Sequence, residues 1–263
     1  MFQYPFMVNA FRAGTLVAVT AGVIGWFMVL RRQTFAGHTL ALIGFPGAAG
    51  ATLIGVSAQL GFYAFCVTGA LVIAALPVAH GNGFREETAV IGTLQAFALA
   101  SGFLFVSLYH GNLNGIDALL FGSFLGITSA QVAGLAALTA ASVGAIAAMA
   151  RPLLFASIDR DVAAARGVPV RALSIAFLVV LGVAAAATSQ ITGALLVFAL
   201  LVLPAATAQR VTARPALGGV LAVAIAVLVT WAGLTLGYYS DYPIGFYVTS
   251  LAFGLYVLAS FTC

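Results

Sequence analysis

The sequence predicts an all-α fold, a polytopic membrane helix bundle of about nine transmembrane helices, with eight to ten as the range its length allows. Three observations carry this expectation. Apolar residues make up 63% of the 263-residue chain and charged residues only 6%, whereas a soluble domain carries about 25% charged residues. The residues that normally cover the outside of a domain are too few to build a water-facing surface. The apolar residues fall in runs close to the roughly 20 residues that a bilayer span requires. When those runs are alternated across a membrane, the basic residues sort to one side.

The runs cover 10–30, 38–56, 60–79, 88–108, 131–150, 171–188, 192–208, 217–237 and 245–261. The first is expected to remain as a span: the Arg31–Arg32 pair follows it and no small-residue cleavage site trails it, the reverse of a secretory signal. Placing Arg31 and Arg32 inside also places Arg85, Arg151, Arg160, Arg166, Arg171, Arg210 and Arg214 inside, and leaves only Arg12 outside. The N-terminus is then external and the C-terminus internal. The external segments become 57–59, 109–130, 189–191 and 238–244, so Thr188-Ser189-Gln190 and Thr192-Gly193 must turn very tightly between two spans. Within the longest of them, Gly122 to Gly126 suits a short helix dipping into the membrane. No linker, low-complexity tract or internal repeat divides the chain, which reads as one membrane domain over 1–263.

Glycine and proline mark where helices pack or break. Gly47, Ala51 and Gly55 lie four apart, a stripe that lets backbones approach closely. Pro46 in the second run and Pro204 in the seventh are expected to bend their helices, since the ring removes a helix hydrogen bond. Broken helices at membrane depth are tolerated where they pack in protein or line a cavity.

Several function classes are excluded by what is missing. The formal charge of +4 comes entirely from Arg, with no Lys in the chain, so a phosphate-binding loop of the G-x-x-x-x-G-K-[ST] type is impossible. The bases are accounted for by membrane topology and do not call for nucleic acid. All six acids (Glu86, Glu87, Asp117, Asp159, Asp161 and Asp241) fall in loops or at span ends, whereas ion-coupled carriers place carboxylates inside the membrane. Cys66 and Cys263 provide neither a disulfide framework nor metal-ligand spacing. Energy for transport must therefore come from another protein, or the cargo moves passively.

The longest internal segment, about 151–170, points to a partner. Asp159 suits an N-cap for a short helix through Arg166, Gly167 suits its stop, and Pro169 prevents continuation. A short amphipathic helix held in a polar loop is a docking knob for a cytoplasmic protein; a solvated connector is the alternative reading of the same residues.

At this point the chain resembles the permeases of ABC importers of the zinc/manganese type (ABC-3-like). Their coupling pattern, roughly Leu-Leu-Phe-x-Ser-x-Asp-x-x-x-Ala-x-x-x-Gly-x-Pro, is matched from Leu153 to Pro169. Agreement extends to Val29-Leu30-Arg31-Arg32 with Phe35-x-Gly37 and Pro46-Gly47, to Leu119-Leu120-Phe121-Gly122, and to Gly193-x-Leu195-Leu196-Val197 through Leu203-Pro204-Ala205-Ala206-Thr207-Ala208. The resemblance implies a single permease domain of the type II importer kind in the inner or plasma membrane of a bacterium. It implies no catalytic residues: a homodimer would carry a separate cytoplasmic ATPase, with ATP bound there, on each coupling helix. Asp159, Arg160, Asp161, Ala163, Arg166, Gly167 and Pro169 are the residues implied in that coupling. An external solute-binding protein would deliver Zn²⁺ or Mn²⁺.

One departure bears on the cargo. Relatives of this type commonly carry Asp-x-x-x-His in the second span, and here those places hold His38 and Leu42. One His alone cannot hold either ion; two copies facing one pore would supply two. A plain structural role, a hydrogen bond to a backbone carbonyl near the span end, is equally open. His38 is the candidate metal ligand, and His110, Asp117 and Asp241 are candidates for an oxygen-rich external mouth. The Tyr238, Tyr239 and Tyr242 cluster suits an interfacial belt. The missing acid leaves a metal chelate, such as a siderophore or cobalamin-like molecule, as alternative cargo, and a passive channel or scaffold as a further alternative.

Overall fold

The structure is a computed structural model that describes residues 3–75, 83–109 and 126–262. Within the described residues there are ten helices and no strand. They are α1 (Pro5–Leu30), α2 (Thr34–Leu53), α3 (Ala58–Ala75), α4 (Gly83–Leu108), α5 (Ser129–Ile158), α6 (Arg160–Ala165), α7 (Val170–Thr192), α8 (Ala194–Val211), α9 (Pro215–Tyr238) and α10 (Ile244–Thr262). All but the short α6 correspond to the nine apolar runs. Seven of them are long and apolar enough to cross a bilayer by themselves.

The two exceptions, α2 and α8, have a physical reason. The Gly, Thr and His residues of α2 lower its hydropathy, yet most of the helix is buried, because α3, α4, α7 and α8 surround it. A helix that faces protein on all sides does not have to be as apolar as one that faces lipid. The apolar part of α8 is shorter, Leu196–Val211, because α8 starts at a break inside the bundle.

That break corrects the sequence expectation for 189–191. These residues form no external turn: α7 continues through Thr192, with Thr188, Ser189 and Thr192 all buried. The chain reverses at Gly193, whose φ of 81° lies in the left-handed region open to glycine. Gly193 N–H caps the Ser189 carbonyl at 2.8 Å, and Val197 N–H returns to the Gly193 carbonyl at 3.2 Å. The backbone groups at the break are thus partly satisfied within the protein, as membrane depth demands.

Two smaller corrections follow. The segment expected as a loop from Arg151 is helical to Ile158, since Leu153 and Ala156 are buried and hold the end of α5 against its neighbours through Pro152. Pro46 and Pro204 lie inside α2 and α8, and the interruption between α7 and α8 is at Gly193. Gly55 is the stop of α2 and not a packing residue: its φ is 76°, no atom would meet a Cβ there, and Val56 N–H bonds the Ala51 carbonyl at 2.8 Å.

Glycines elsewhere set how near the helices come. A Cβ at Gly47 would collide with the Gly61 carbonyl and Phe65 of α3; one at Gly25 would collide with the Leu201 carbonyl of α8. The bundle is also tied by hydroxyls and amides across helices. Thr20 donates to or accepts from Thr139 at 3.0 Å between α1 and α5, and Thr39 donates to Gln95 Oε1 at 2.8 Å between α2 and α4. At one end, Arg31 reaches Ser174 and Trp26 packs on Gly218. At the other, Asn9 donates to the Ile127 carbonyl at 3.1 Å. The arginines of the α1–α2 corner, of the start of α7 and of the α8–α9 connection therefore share one end.

The packing distances make a paired prediction. Gly25→Val should lower the thermal unfolding temperature of the detergent-solubilised protein, corresponding to a loss of about 1–3 kcal/mol from overpacking. Gly144→Val, at a helical position where a Cβ meets nothing, should leave it unchanged within error.

Candidate functional site

The short helix α6, the candidate docking element, is closed at both ends. Asp159 closes the start of α6: its Oδ1 accepts the Val162 N–H at 2.9 Å. At the other end Gly167 N–H bonds the Ala164 carbonyl at 2.9 Å and Val168 N–H bonds the Ala163 carbonyl at 3.0 Å. This paired closure needs a left-handed residue between them, and Gly167 supplies it with φ 83°. Pro169 then caps α7. Six residues would not hold a helix alone; α6 is held by its caps and by Ala163, fully buried against Ala156 and Val170, with Phe155, Val168 and Leu173 around them.

The opposite face is open. Ile158 is 71% and Val162 45% exposed, flanked by exposed Arg160, Asp161 and Arg166. An apolar pair within a charged rim, on a rigid knob at the arginine end, has the composition of a protein contact.

A second feature lies inside the bundle. Among the described residues, three buried side-chain polar atoms have no hydrogen-bond partner: His38 Nδ1, Ser189 Oγ and Gln209 Nε2. They belong to α2, α7 and α8, which all pack on one another. His38 sits in the second turn of α2 with its ring 4.4 Å from that of Phe198 on α8. No carbonyl takes its Nδ1, so the hydrogen bond to a backbone carbonyl is absent at that nitrogen. One turn on, Leu42 packs with Ala41 and Ala185. Ser189 follows Ala185 by one further turn of α7, close to the break at Gly193. Pro46 has no N–H to offer the Leu42 carbonyl. The three are spread along the seam: Ser189 lies near the break at Gly193, Gln209 in the last turn of α8, and His38 in the second turn of α2. No group of three His, Cys, Asp or Glu that could hold a metal ion occurs among the described residues.

The external candidates divide. His110 and Asp117, like His80, Leu119-Leu120-Phe121-Gly122 and the stretch expected to dip into the membrane up to Leu125, lie outside the described residues. Asp241 is exposed in the turn from α9 to α10, beside Ser240, whose hydroxyl is 2.6 Å from that of Tyr247. Tyr239 and Tyr242 are exposed there as well. Pro46 and Gly47 lie on the buried side of α2, and Pro204 is buried in α8. Sequence reasoning missed Ser189 and Gln209. Their signal was available in principle, as polar residues within otherwise apolar runs, but Thr and Ser often bond back to their own helix, as Thr188 does to Ala184 at 2.6 Å.

Long apolar helices, a buried break between two of them and a short capped helix at the arginine end together define a multi-pass membrane protein. The chain belongs to the ABC 3 transport family, whose model matches residues 3–263. It is 28% identical to a manganese transport system membrane protein of Halalkalibacterium halodurans, covering 99% of this chain and 88% of that one. It is 29% identical to a chelated iron transport system membrane protein of Yersinia pestis, covering 95% and 84%. Its fold matches the solved PsaBC of Streptococcus pneumoniae in complex with Fab, with a TM-score of 0.85 at 24% identity, over 99% of this chain and 92% of that one.

The seam generates a stability prediction. Ser189→Ala should keep or raise the thermal unfolding temperature, because a hydroxyl without a partner costs desolvation and returns nothing. A marked fall would mean that the hydroxyl has a partner after all.

Proposed function

We propose that this chain is the membrane-spanning permease subunit of an ATP-binding-cassette importer that translocates a divalent transition metal ion, Zn²⁺ or Mn²⁺. The observation that carries the proposal is α6: a helix too short to persist alone, capped at both ends and presenting Val162, beside Ile158 at the end of α5, at the arginine end. A cytoplasmic ATPase would seat on it, and ATP would be bound and hydrolysed there. A second copy of the chain and an external metal-binding protein complete the machine. Family membership and the manganese transport relative support this reading.

The cargo would pass His38 as a transient ligand. Imidazole suits Zn²⁺ better than Mn²⁺, which prefers oxygen. Weak, incomplete coordination suits a conduit, because an ion held tightly is not released. Asp241, with His110 and Asp117, would form the external mouth. The chelate reading keeps the same machine; the Leu at position 42 and the chelated iron relative favour it.

Uptake into vesicles holding the permease, its ATPase and its binding protein tests both parts. His38→Ala should slow zinc uptake several-fold with ATP binding to the partner unchanged, and Leu42→His should alter ion preference or rate. Unchanged transport of every ion in both variants would remove His38 from the path and move the chelate ahead. Gly167→Val forces a β-branched residue into a left-handed backbone; the protein should insert normally but lose uptake coupled to ATP hydrolysis. Wild-type uptake in that variant would count against docking at α6.

A further inference from the structure

The corner between α1 and α2 holds an arginine with more contacts than orientation in a membrane requires. Arg31 Nη2 donates to Ser174 Oγ at 2.7 Å, in the second turn of α7. Its Nε donates to Gln33 Oε1 at 3.2 Å, and Gln33 is the N-cap residue of α2. Its guanidinium carbon lies 5.4 Å from the centre of the Phe177 ring, which is completely buried in the main core. The backbone of the corner is closed as well. Arg32 adopts a left-handed φ of 57°, and Gln33 N–H bonds the Met28 carbonyl at 2.9 Å.

These contacts connect two parts of the proposed site. On one side, α6 rests through Ala163 on Val170 and Leu173, and Ser174 is the next residue of the same first turns of α7. On the other, α2 begins at the Gln33 cap and carries His38 one turn later. Among the described residues the main packing of α6 is on α5 and α7, so a movement of α6 reaches the start of α2 through α7 and this corner.

We propose that Arg31 is a positioning residue that transmits movement of α6 and the start of α7 to the start of α2. The inference rests on the docking role of α6 proposed above. The chemistry favours Arg specifically: a planar guanidinium can donate in two directions and stack on an aromatic face at once, which an ammonium cannot. A charge that served only to orient the chain would be replaced by Lys without loss.

The test compares metal taken up per ATP hydrolysed in vesicles containing the whole importer, with Zn²⁺ alone and Mn²⁺ alone as probes. Arg31→Gln and Arg31→Lys should assemble with the ATPase and hydrolyse ATP, while uptake per ATP falls about tenfold, as for loss of a charge-assisted hydrogen bond. Ser174→Ala should produce a smaller fall, and adding it to Arg31→Gln should produce none, because the two share one contact. Arg32→Asn, at an exposed position where Asn tolerates the left-handed backbone, should leave the ratio unchanged. If Arg31→Gln fails to assemble, Ser174→Ala decides, since it removes the contact and leaves the charge. Full uptake per ATP in Arg31→Lys and Ser174→Ala would overturn the proposal, as would uptake and hydrolysis falling in parallel. A wild-type importer that shows no ATP-driven uptake of either ion would instead remove the docking role on which the proposal rests.

Discussion

Hydrocarbon offers no hydrogen bonds, so every backbone N–H and C=O that enters it must be satisfied from within the protein. This constraint accounts for the all-helical build of the described chain, and it also decides where the chain is allowed to stop being helical. Between α7 and α8 the backbone reverses through a single glycine, surrounded by buried Thr188, Ser189 and Thr192. The same reversal in contact with lipid would strand the last carbonyls of α7 at a cost of several kcal/mol each. Close helix packing makes the enclosure possible, and packing here depends on glycines at Gly25, Gly47 and Gly61, where no side chain fits between two backbones.

The enclosed centre is unusually polar for its position. Helix α2, surrounded by four others, carries Thr39 bonded to Gln95 and takes the Cys66 thiol on its Leu40 carbonyl at 3.4 Å. Those groups are satisfied and account for themselves as links between helices. His38, Ser189 and Gln209 are different, since each brings a polar atom into the interior without a partner. A buried unpaired donor or acceptor costs about 1–3 kcal/mol, and a hydrophobic residue at any of the three places would avoid that cost. All three lie on helices that pack on one another, and the proposed path is drawn past His38, on the most enclosed of them. Neutral donors fit passage better than capture, because carboxylates in such a setting would bind a divalent ion strongly.

The arginine end joins this seam to α6 through short covalent and packing steps. Helix α6 is held at three points: Asp159 and Gly167 close its ends and Ala163 anchors its inner face. Its inner face packs on the first turns of α7, which touch the α1–α2 corner through Arg31, the contact on which the proposed transmission relies. Rigid elements in contact transmit displacement where flexible loops would absorb it.

Composition and residue order determined the class of solvent, the nine apolar helices and the alternation that collects arginine on one side. They also determined the short capped helix α6, because N-cap acid, helix stop and proline act within a few residues of one another and need no distant partner. The resemblance in Leu153 to Pro169 and in the Gly193 to Ala208 stretch was likewise local in sequence. What depended on the fold was which residues meet. The turn expected at Thr188 to Thr192 became buried helix because neighbouring helices, and not water, surround it. Gly55 became a stop and Gly25 a contact, although both are glycines in or beside apolar runs. His38 faces Phe198, and Arg31 faces Ser174, across separations of well over a hundred residues. Such pairings arise only when helices are brought side by side, since a span's periodicity states how apolar its faces are and not which neighbour each face will meet.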